Sequence, residues 1–441
     1  MRTTGCLKRV IIYLLCCLVL QVYYYYPAES ASTSTSVLEL PVIDLSPWFD
    51  VKTEFNADTN KTKTTEYATK QVDMLRQAAS LYGSAYLYTG RKNTEILHKE
   101  VLRRASQEVF AVEDFVKKRY QIQSSGFTRG YVLLGGESGS SHRREVKEGF
   151  SYGKEWPIKV DRSFDNELQG FNVWPKPEEN FSFSTKFILN NLFEELALIS
   201  KTLVRLISLS LNLESETALD DDISEGDTIS LLRLFHYFGK AENEELFRFC
   251  KYIDQFQQIK SDDKTSTLYD RCTGSSPHSD WGMITLVGIG ADDSGLEFSF
   301  NDTWYKVSPP SIWSYKKEEL IVVNFGDYLS VATNYAFRSP LHRVVIGDSD
   351  RYSYVYFFYP NFDARLKATT SEGSENLSLL KKQGLEDLGS SKPESDDADD
   401  DAVKQKEIQI ESFGEFILDK WRQVFRNTHM AVDETTLRDE L

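Results

Sequence analysis

Between about Thr228 and Pro360 the chain is a succession of short β-branched and aromatic runs separated by Gly, Pro, Asn and Asp, and this stretch limits the fold most. Runs of that kind form strands, and their spacing suits an all-β sandwich or barrel. The segment before it supplies cover for a sheet. From about Ser184 to Leu211, Ile188, Leu192, Leu196, Ile199, Leu203 and Leu206 recur every three or four residues, which predicts a long helix with one apolar stripe. Two further helices are expected. One spans about 64–81, with Ala68, Val72, Leu75 and Ala79 on one face and Gly83 ending it; the other spans about 94–110, with Leu97, Val101, Ala105 and Val109. The expected class is mainly β with bracing helices (α+β).

The strand-like stretch carries His278-Ser-Asp280, then His342, then Arg351-Tyr-Ser353. Extended backbone sends residues two apart to one face, so His278 and Asp280 point at one place and His342 must arrive from another strand. Two imidazoles and a carboxylate form a facial triad, which leaves an iron ion open positions for oxygen and a co-substrate. Arg351 and Ser353 share a face of the run Arg351–Pro360. A guanidinium fork matches a carboxylate bidentately and a hydroxyl adds a hydrogen bond, so metal plus clamp points to an acidic co-substrate. Each piece alone has an ordinary structural reading: His-x-Asp is common in turns, and a lone Arg is more often an ion-pair residue. The five in this order favour the metal site. His236 has no partner at ligand spacing and reads as a buried, hydrogen-bonded imidazole.

These residues lie in stretches that resemble the iron(II)- and 2-oxoglutarate-dependent dioxygenases, in particular the isopenicillin N synthase-like branch. The matching stretches are Pro277-His-Ser-Asp-Trp-Gly-Met-Ile-Thr-Leu-Val287, Val323-Asn-Phe-Gly-Asp-Tyr-Leu329, Thr333-Asn334, Ser339-Pro-Leu-His-Arg-Val-Val345 and Arg351-Tyr-Ser353. Upstream, Leu40-Pro-Val-Ile-Asp-Leu45 and Gln77-Ala-Ala-Ser-Leu-Tyr-Gly-Ser-Ala-Tyr-Leu87 extend the likeness, which covers roughly residues 38–365. The resemblance implies a double-stranded β-helix (jelly-roll) core with the metal near one open end. It implies His278, Asp280 and His342 as catalytic iron ligands, and Arg351 and Ser353 as the clamp for the distal carboxylate of 2-oxoglutarate. Tyr237, in Leu232-Arg-Leu-Phe-His-Tyr237, would assist; plant relatives often have asparagine two residues earlier, where this chain has Phe235.

The same resemblance implies Fe(II), 2-oxoglutarate and O2, with ascorbate as an auxiliary reductant, and a small-molecule substrate that is hydroxylated or otherwise oxidised. Some relatives use iron and oxygen without 2-oxoglutarate, the clamp then holding a substrate carboxylate. Prolyl and lysyl hydroxylases of the endoplasmic reticulum act on protein chains, but prolyl hydroxylases typically have lysine at the clamp position. A lumenal binding protein on this scaffold would need none of the three ligands.

Other chemistries fit poorly. Gly288-Ile-Gly290 lacks the third glycine of a dinucleotide fingerprint, no Gly-Lys-Ser/Thr phosphate loop is present, and Gly136-Glu-Ser138-Gly139 lacks the closing glycine of a nucleophile elbow. The formal charge of -16 argues against nucleic acid as a partner.

Both ends of the chain address it to the secretory pathway. Arg2, Lys8 and Arg9 precede an apolar stretch from Val10 to about Val22, with small residues at Ala28, Ser30 and Ala31. That is the layout of a signal peptide over 1–30, or of an uncleaved anchor, the only way this chain would hold a membrane. Arg438-Asp-Glu-Leu441 is a close variant of the retrieval signal read by a receptor of the endoplasmic reticulum, whose lumen is the expected location. Sequons at Asn60, Asn180, Asn301 and Asn376 suit a glycoprotein of that compartment. There Cys250 and Cys272 would form a disulfide, the alternative being two buried thiols.

The expected organisation is a targeting segment (1–30), an N-terminal dioxygenase region with bracing helices (38–225), a jelly-roll core (226–366), an acidic disordered insertion (367–406), a terminal helix (407–430) and a tail (431–441). The insertion carries Asp396, Asp397, Asp399, Asp400 and Asp401, which repel one another, with weak calcium binding as an alternative role. Ser412-Phe-Gly-Glu415 has capping-box spacing and opens a helix with Phe413, Ile417, Trp421 and Val424 on its apolar face.

Overall fold

The computed structural model describes residues 36–49, 66–91, 97, 99–122, 128–137, 144–156, 168–213, 215–224, 226–247, 272–289, 295–314, 320–367, 409–410 and 412–432. The chain divides into Met1–Ser36 and Val37–Leu441, and the second unit holds every element below. The targeting segment, Asn60, Cys250, Asn376, the acidic run and Arg438–Leu441 lie outside the described residues.

The strands begin with Val37–Glu39 (β1), Val42–Asp44 (β2), Ser84–Tyr88 (β3), Gly130–Val132 (β4), Arg144–Glu145 (β5), Lys147–Tyr152 (β6) and Leu231–Tyr237 (β7). Cys272–Thr273 (β8), Ser275–His278 (β9), Ile284–Ile289 (β10), Leu296–Phe300 (β11) and Thr303–Ser308 (β12) follow. Leu320–Phe325 (β13), His342–Val344 (β14), Arg351–Phe358 (β15), Leu366–Lys367 (β16) and Gln409–Ile410 (β17) complete them. One sheet has the order β1-β12-β11-β14-β9 and the other β2-β3-β13-β10-β15-β7-β6-β4. The larger sheet thus joins strands from both sides of the boundary near residue 225. β16 and β17 pair with each other, Leu366 opposite Ile410.

Alternation along the strands separates two cores. In β15, Tyr354, Tyr356 and Phe358 join the core on the helical side, while Val355 joins the core between the sheets. In β7, Leu232 and Leu234 face the helices, and Phe235 and Tyr237 face inward. The inner core also draws Leu296 and Phe298 from β11 and Val344 from β14, so the two sheets enclose it as a jelly roll does.

The main helices are Glu66–Leu81 (α1), Lys99–Phe110 (α2), Phe183–Ser210 (α3), Asp327–Ala332 (α4) and Phe413–Val432 (α5). Ser182 caps α3 by accepting a hydrogen bond from the Thr185 N–H at 3.2 Å. The α3 stripe buries Leu189, Leu192, Leu196, Ile199, Leu203 and Leu206, with Leu189 rather than Ile188 fully covered. Each such side chain contributes about 2 kcal/mol, so the stripe rivals the net stability of a whole domain. On α2 the buried face runs through Leu102, Ala105 and Val109, and Val101 is only partly covered, because a face through Ala105 continues to either neighbour. Phe413, Ile417 and Trp421 dock α5 on the core, and Ser412 Oγ accepts from the Glu415 N–H at 3.4 Å. The side chain of Val424 lies outside the described residues. No described helix is long and apolar enough to cross a membrane.

Gly288 lies in β10 opposite Tyr354, and a Cβ there would sit 1.9 Å from that ring. The glycine is a packing device in a strand, not part of a nucleotide-binding turn. Gly288→Ala should therefore lower stability by about 3 kcal/mol through overpacking, read as a lower midpoint of urea unfolding.

Candidate active site

β9 ends at His278, and the chain reaches Asp280 two residues later. β14 opens at His342, whose Cα partner across the antiparallel ladder is His278. This pairing brings the rings to 4.3 Å between centroids, and ligand atoms of His278, Asp280 and His342 all lie within 4.8 Å of one another. Asp280 and His342 are buried, whereas His278 is exposed at the rim, so the cluster has one solvent-facing side.

The hydrogen bonds around the ligands determine which atoms are available. His278 Nδ1 donates to the Ser276 carbonyl at 2.7 Å and His342 Nδ1 to the Pro340 carbonyl at 3.0 Å. A carbonyl only accepts, so each Nδ1 carries the proton and each Nε2 keeps its lone pair. His342 Nε2 lies 3.7 Å from Asp280 Oδ2, which also accepts from the Asn324 amide at 3.3 Å. Although the residue as a whole is exposed at the rim, its ring packs among protein atoms; that desolvation, and then the neighbouring His342, push the His278 imidazole down to about 4. It is neutral at pH 7, as a metal ligand must be.

An outer layer of residues carries no signal in the sequence. Glu145 Oε1 accepts from the Ser276 N–H at 2.7 Å, and Lys147 Nζ reaches Glu145 Oε2 at 2.6 Å and Ser275 Oγ at 3.2 Å. Burial works against the Glu145 charge, but Lys147 and the Ser276 N–H outweigh it and hold the carboxyl below its ordinary range. The pair thus ties β5 and β6 to the strand that presents His278. On the other side, the Asp327 N–H donates to the Asp280 carbonyl at 2.8 Å, and Ser279 Oγ donates to Asp327 Oδ2 at 3.1 Å. For Asn324 and Asp327 a signal did exist, since both lie in the Val323–Leu329 stretch that carries the family likeness.

Arg351 and Ser353 face the space between the sheets, on the same face as Tyr237 and Phe235, their Cα partners in β7. The Arg351 guanidinium lies 4.1 Å above the Tyr237 ring. Ser353 Oγ is buried without a hydrogen-bond partner in the structure. A buried hydroxyl in that state beside a guanidinium fits the carboxylate of a bound acid, and the N2O donor set fits Fe(II). His236 instead points to the helical side, bridging Glu148 at 2.8 Å and Asp350 at 2.9 Å and stacking on Tyr352 at 4.7 Å. It is the structural imidazole expected.

Comparison with known proteins points to one family. The family model for the 2OG-Fe(II) oxygenase superfamily matches residues 245–360, and that for the non-haem dioxygenase in morphine synthesis N-terminal region matches residues 40–177. Clavatol oxidase claD of Penicillium crustosum is 29% identical over 295 residues, 63% of this chain and 77% of that protein. The 2-oxoglutarate-dependent dioxygenase citB of Monascus ruber is 28% identical over 344 residues, 76% of this chain and 89% of that protein. Among solved structures, a full-length Neurospora crassa protein in complex with alpha-KG and thymine superposes with a TM-score of 0.54 at 20% identity, covering 76% of this chain and 91% of that one. The chain belongs to the 2OG-Fe(II) oxygenase superfamily. It is an oxidoreductase, a dioxygenase that uses Fe(II), 2-oxoglutarate and O2.

Burial, reinforced by the Asp280 charge, raises the Asp327 carboxyl to about 6. Because the folded value lies above the unfolded one, this group's stabilising contribution is complete below about pH 4 and is lost as pH rises through about 6. Asp327→Asn removes the dependence. Metal-free variant should gain stability over metal-free wild type between about pH 4.5 and about pH 7.5, read from urea midpoints; an unchanged difference would contradict the assignment.

Proposed function

We propose that His278, Asp280 and His342 hold the iron, that Arg351 and Ser353 bind the distal carboxylate of 2-oxoglutarate with Tyr237 beneath the guanidinium, and that the enzyme hydroxylates a small organic substrate. One observation carries the reading: three ligand atoms within 4.8 Å of one another lie at the rim of the same inter-sheet space into which the clamp faces. When bound, Fe(II) supplies the redox chemistry that couples decarboxylation of 2-oxoglutarate, giving succinate and carbon dioxide, to oxidation of the substrate. The protein orients the ligands through Ser276, Pro340 and Asn324, neutralises the acid with Arg351, and keeps water out with Phe235, Val355 and Phe298. The Arg351-x-Ser353 clamp and the order of the matching stretches support the isopenicillin N synthase-like branch. The alpha-KG and thymine bound in the Neurospora crassa structure accord with a small substrate.

The secretory location belongs to the same proposal. Cys272 is disulfide-bonded, which suits an oxidising lumen, and the sequon residues Asn180 and Asn301 are both exposed at turns with positive φ. Retrieval would depend on Arg438–Leu441.

Anaerobic titration with Fe(II) and 2-oxoglutarate should produce a metal-to-ligand charge-transfer absorption in the wild type. His278→Ala should abolish it, and Arg351→Leu should raise the 2-oxoglutarate Kd about 30-fold, the loss of about 2 kcal/mol of charge-assisted hydrogen bonding. An Arg351→Leu titration that matches wild type would remove the clamp assignment. In cells, the protein should carry endoglycosidase H-sensitive glycans, and deleting Arg438–Leu441 should send it to the medium; an unglycosylated, retained protein would count against the lumen.

A further inference from the structure

The inner face of β7 carries another buried guanidinium, one that the iron and 2-oxoglutarate chemistry does not use. Arg233 is 4% exposed and pairs with Glu137 at 2.6 Å. Its Nε is buried with no hydrogen-bond partner. The guanidinium lies 5.1 Å from the centroid of Phe235 and 5.5 Å from that of Trp421. Trp421 in turn packs edge-on against Trp281 at 5.8 Å, and Trp281 follows Asp280 in the chain.

Strand register places Arg233 relative to the chemistry. Arg351 and Tyr237 form one row across β15 and β7, and Arg233 pairs with Val355 two rows further along. The next row runs from Leu231 through Phe357 and Thr285 to Asn324, whose amide holds Asp280. Arg233 therefore stands between the clamp row and the metal row, about 7 Å along the strand from the latter.

A buried ion pair costs several kcal/mol of desolvation per ion, and it offsets that cost well only when every donor is satisfied. Arg233 leaves Nε unmet, and its partner Glu137 comes from a turn rather than from the sheet. An aromatic-walled guanidinium facing the reaction chamber is suited to a planar anion. Arg351 and Ser353 already account for the co-substrate. We propose that Arg233 binds a carboxylate of the substrate, that the substrate is a small carboxylic acid, and that Glu137 is the resident counter-ion it displaces. This rests on the function proposed above and names the substrate class of that site.

The test uses full-length enzyme loaded anaerobically with Fe(II) and 2-oxoglutarate, titrated by calorimetry with phenylacetate and cinnamate and with their neutral amides. The wild type should bind the acids at least about tenfold more tightly than the amides. Arg233→Leu should abolish that preference, and Arg233→Lys, which keeps the charge and guards against a folding failure, should retain part of it. Glu137→Gln should tighten acid binding about threefold or more, because the competing carboxylate is gone. A pair that served only the fold would weaken binding in both variants. Equal binding of acids and amides, no binding of either acid, a preference surviving in Arg233→Leu, or weaker acid binding in Glu137→Gln would each overturn the proposal. The charge-transfer band of the same samples separates the two readings: an absent band with a clear acid preference fails the co-substrate assignment alone, and a normal band without the preference fails this one.

Discussion

The pairing of β9 with β14 is the contact on which the site depends. It sets His278 opposite His342 across an antiparallel ladder, and no local segment could bring those imidazoles together. Asp280 is added by two residues of chain, so the metal geometry needs one long-range register and one short spacing. A shift of one residue would turn His342 to the other face of its strand. The ladder shifts register between His342 and Val344, where irregular pairing re-aims side chains at a sheet edge. Gly326 helps to seat the same corner: a Cβ there would lie 2.1 Å from the Gly282 carbonyl, so only glycine lets α4 approach the Asp280 loop this closely.

Around this corner the protein buries charge that a purely structural core would avoid. Lys147 pairs with Glu145 and Arg233 with Glu137, and each cation lies about 5 Å from the Phe235 ring. The Lys147–Glu145 pair reaches Ser275 and Ser276 and so acts through the strand that carries His278. The Arg233–Glu137 pair faces the chamber. Phe235, which departs from the asparagine common in plant relatives, thus offers its ring to both cations.

Much of the architecture was legible in periodicity. α3 was expected over about 184–211 and spans Phe183–Ser210, because its leucine stripe repeats at the helical period with few competing signals. β15 could be read from its aromatic and β-branched run, and the strand spans Arg351–Phe358. The nearness of His278 and Asp280 could be read from their spacing, and that of His342 from its neighbours in the matching stretch. The outer layer was not legible. Glu145 meets Ser276 across 131 positions and Glu137 meets Arg233 across 96, and a lone acidic residue in a loop carries no mark of a distant partner. The choice of Leu102 over Val101 on α2 was also hidden, since both lie at helical spacing from Ala105 and only the packed neighbours decide.

The central claim is that one inter-sheet chamber holds a metal at His278, Asp280 and His342 and an acid at Arg351 and Ser353. A crystal structure of the full chain grown anaerobically with Fe(II) and 2-oxoglutarate tests it most directly. The account predicts iron bonded to the Nε2 atoms of His278 and His342 and to Asp280, with the distal carboxylate hydrogen-bonded to Arg351 and Ser353 Oγ. Iron bound through either Nδ1, or a carboxylate seated away from Arg351, would contradict it.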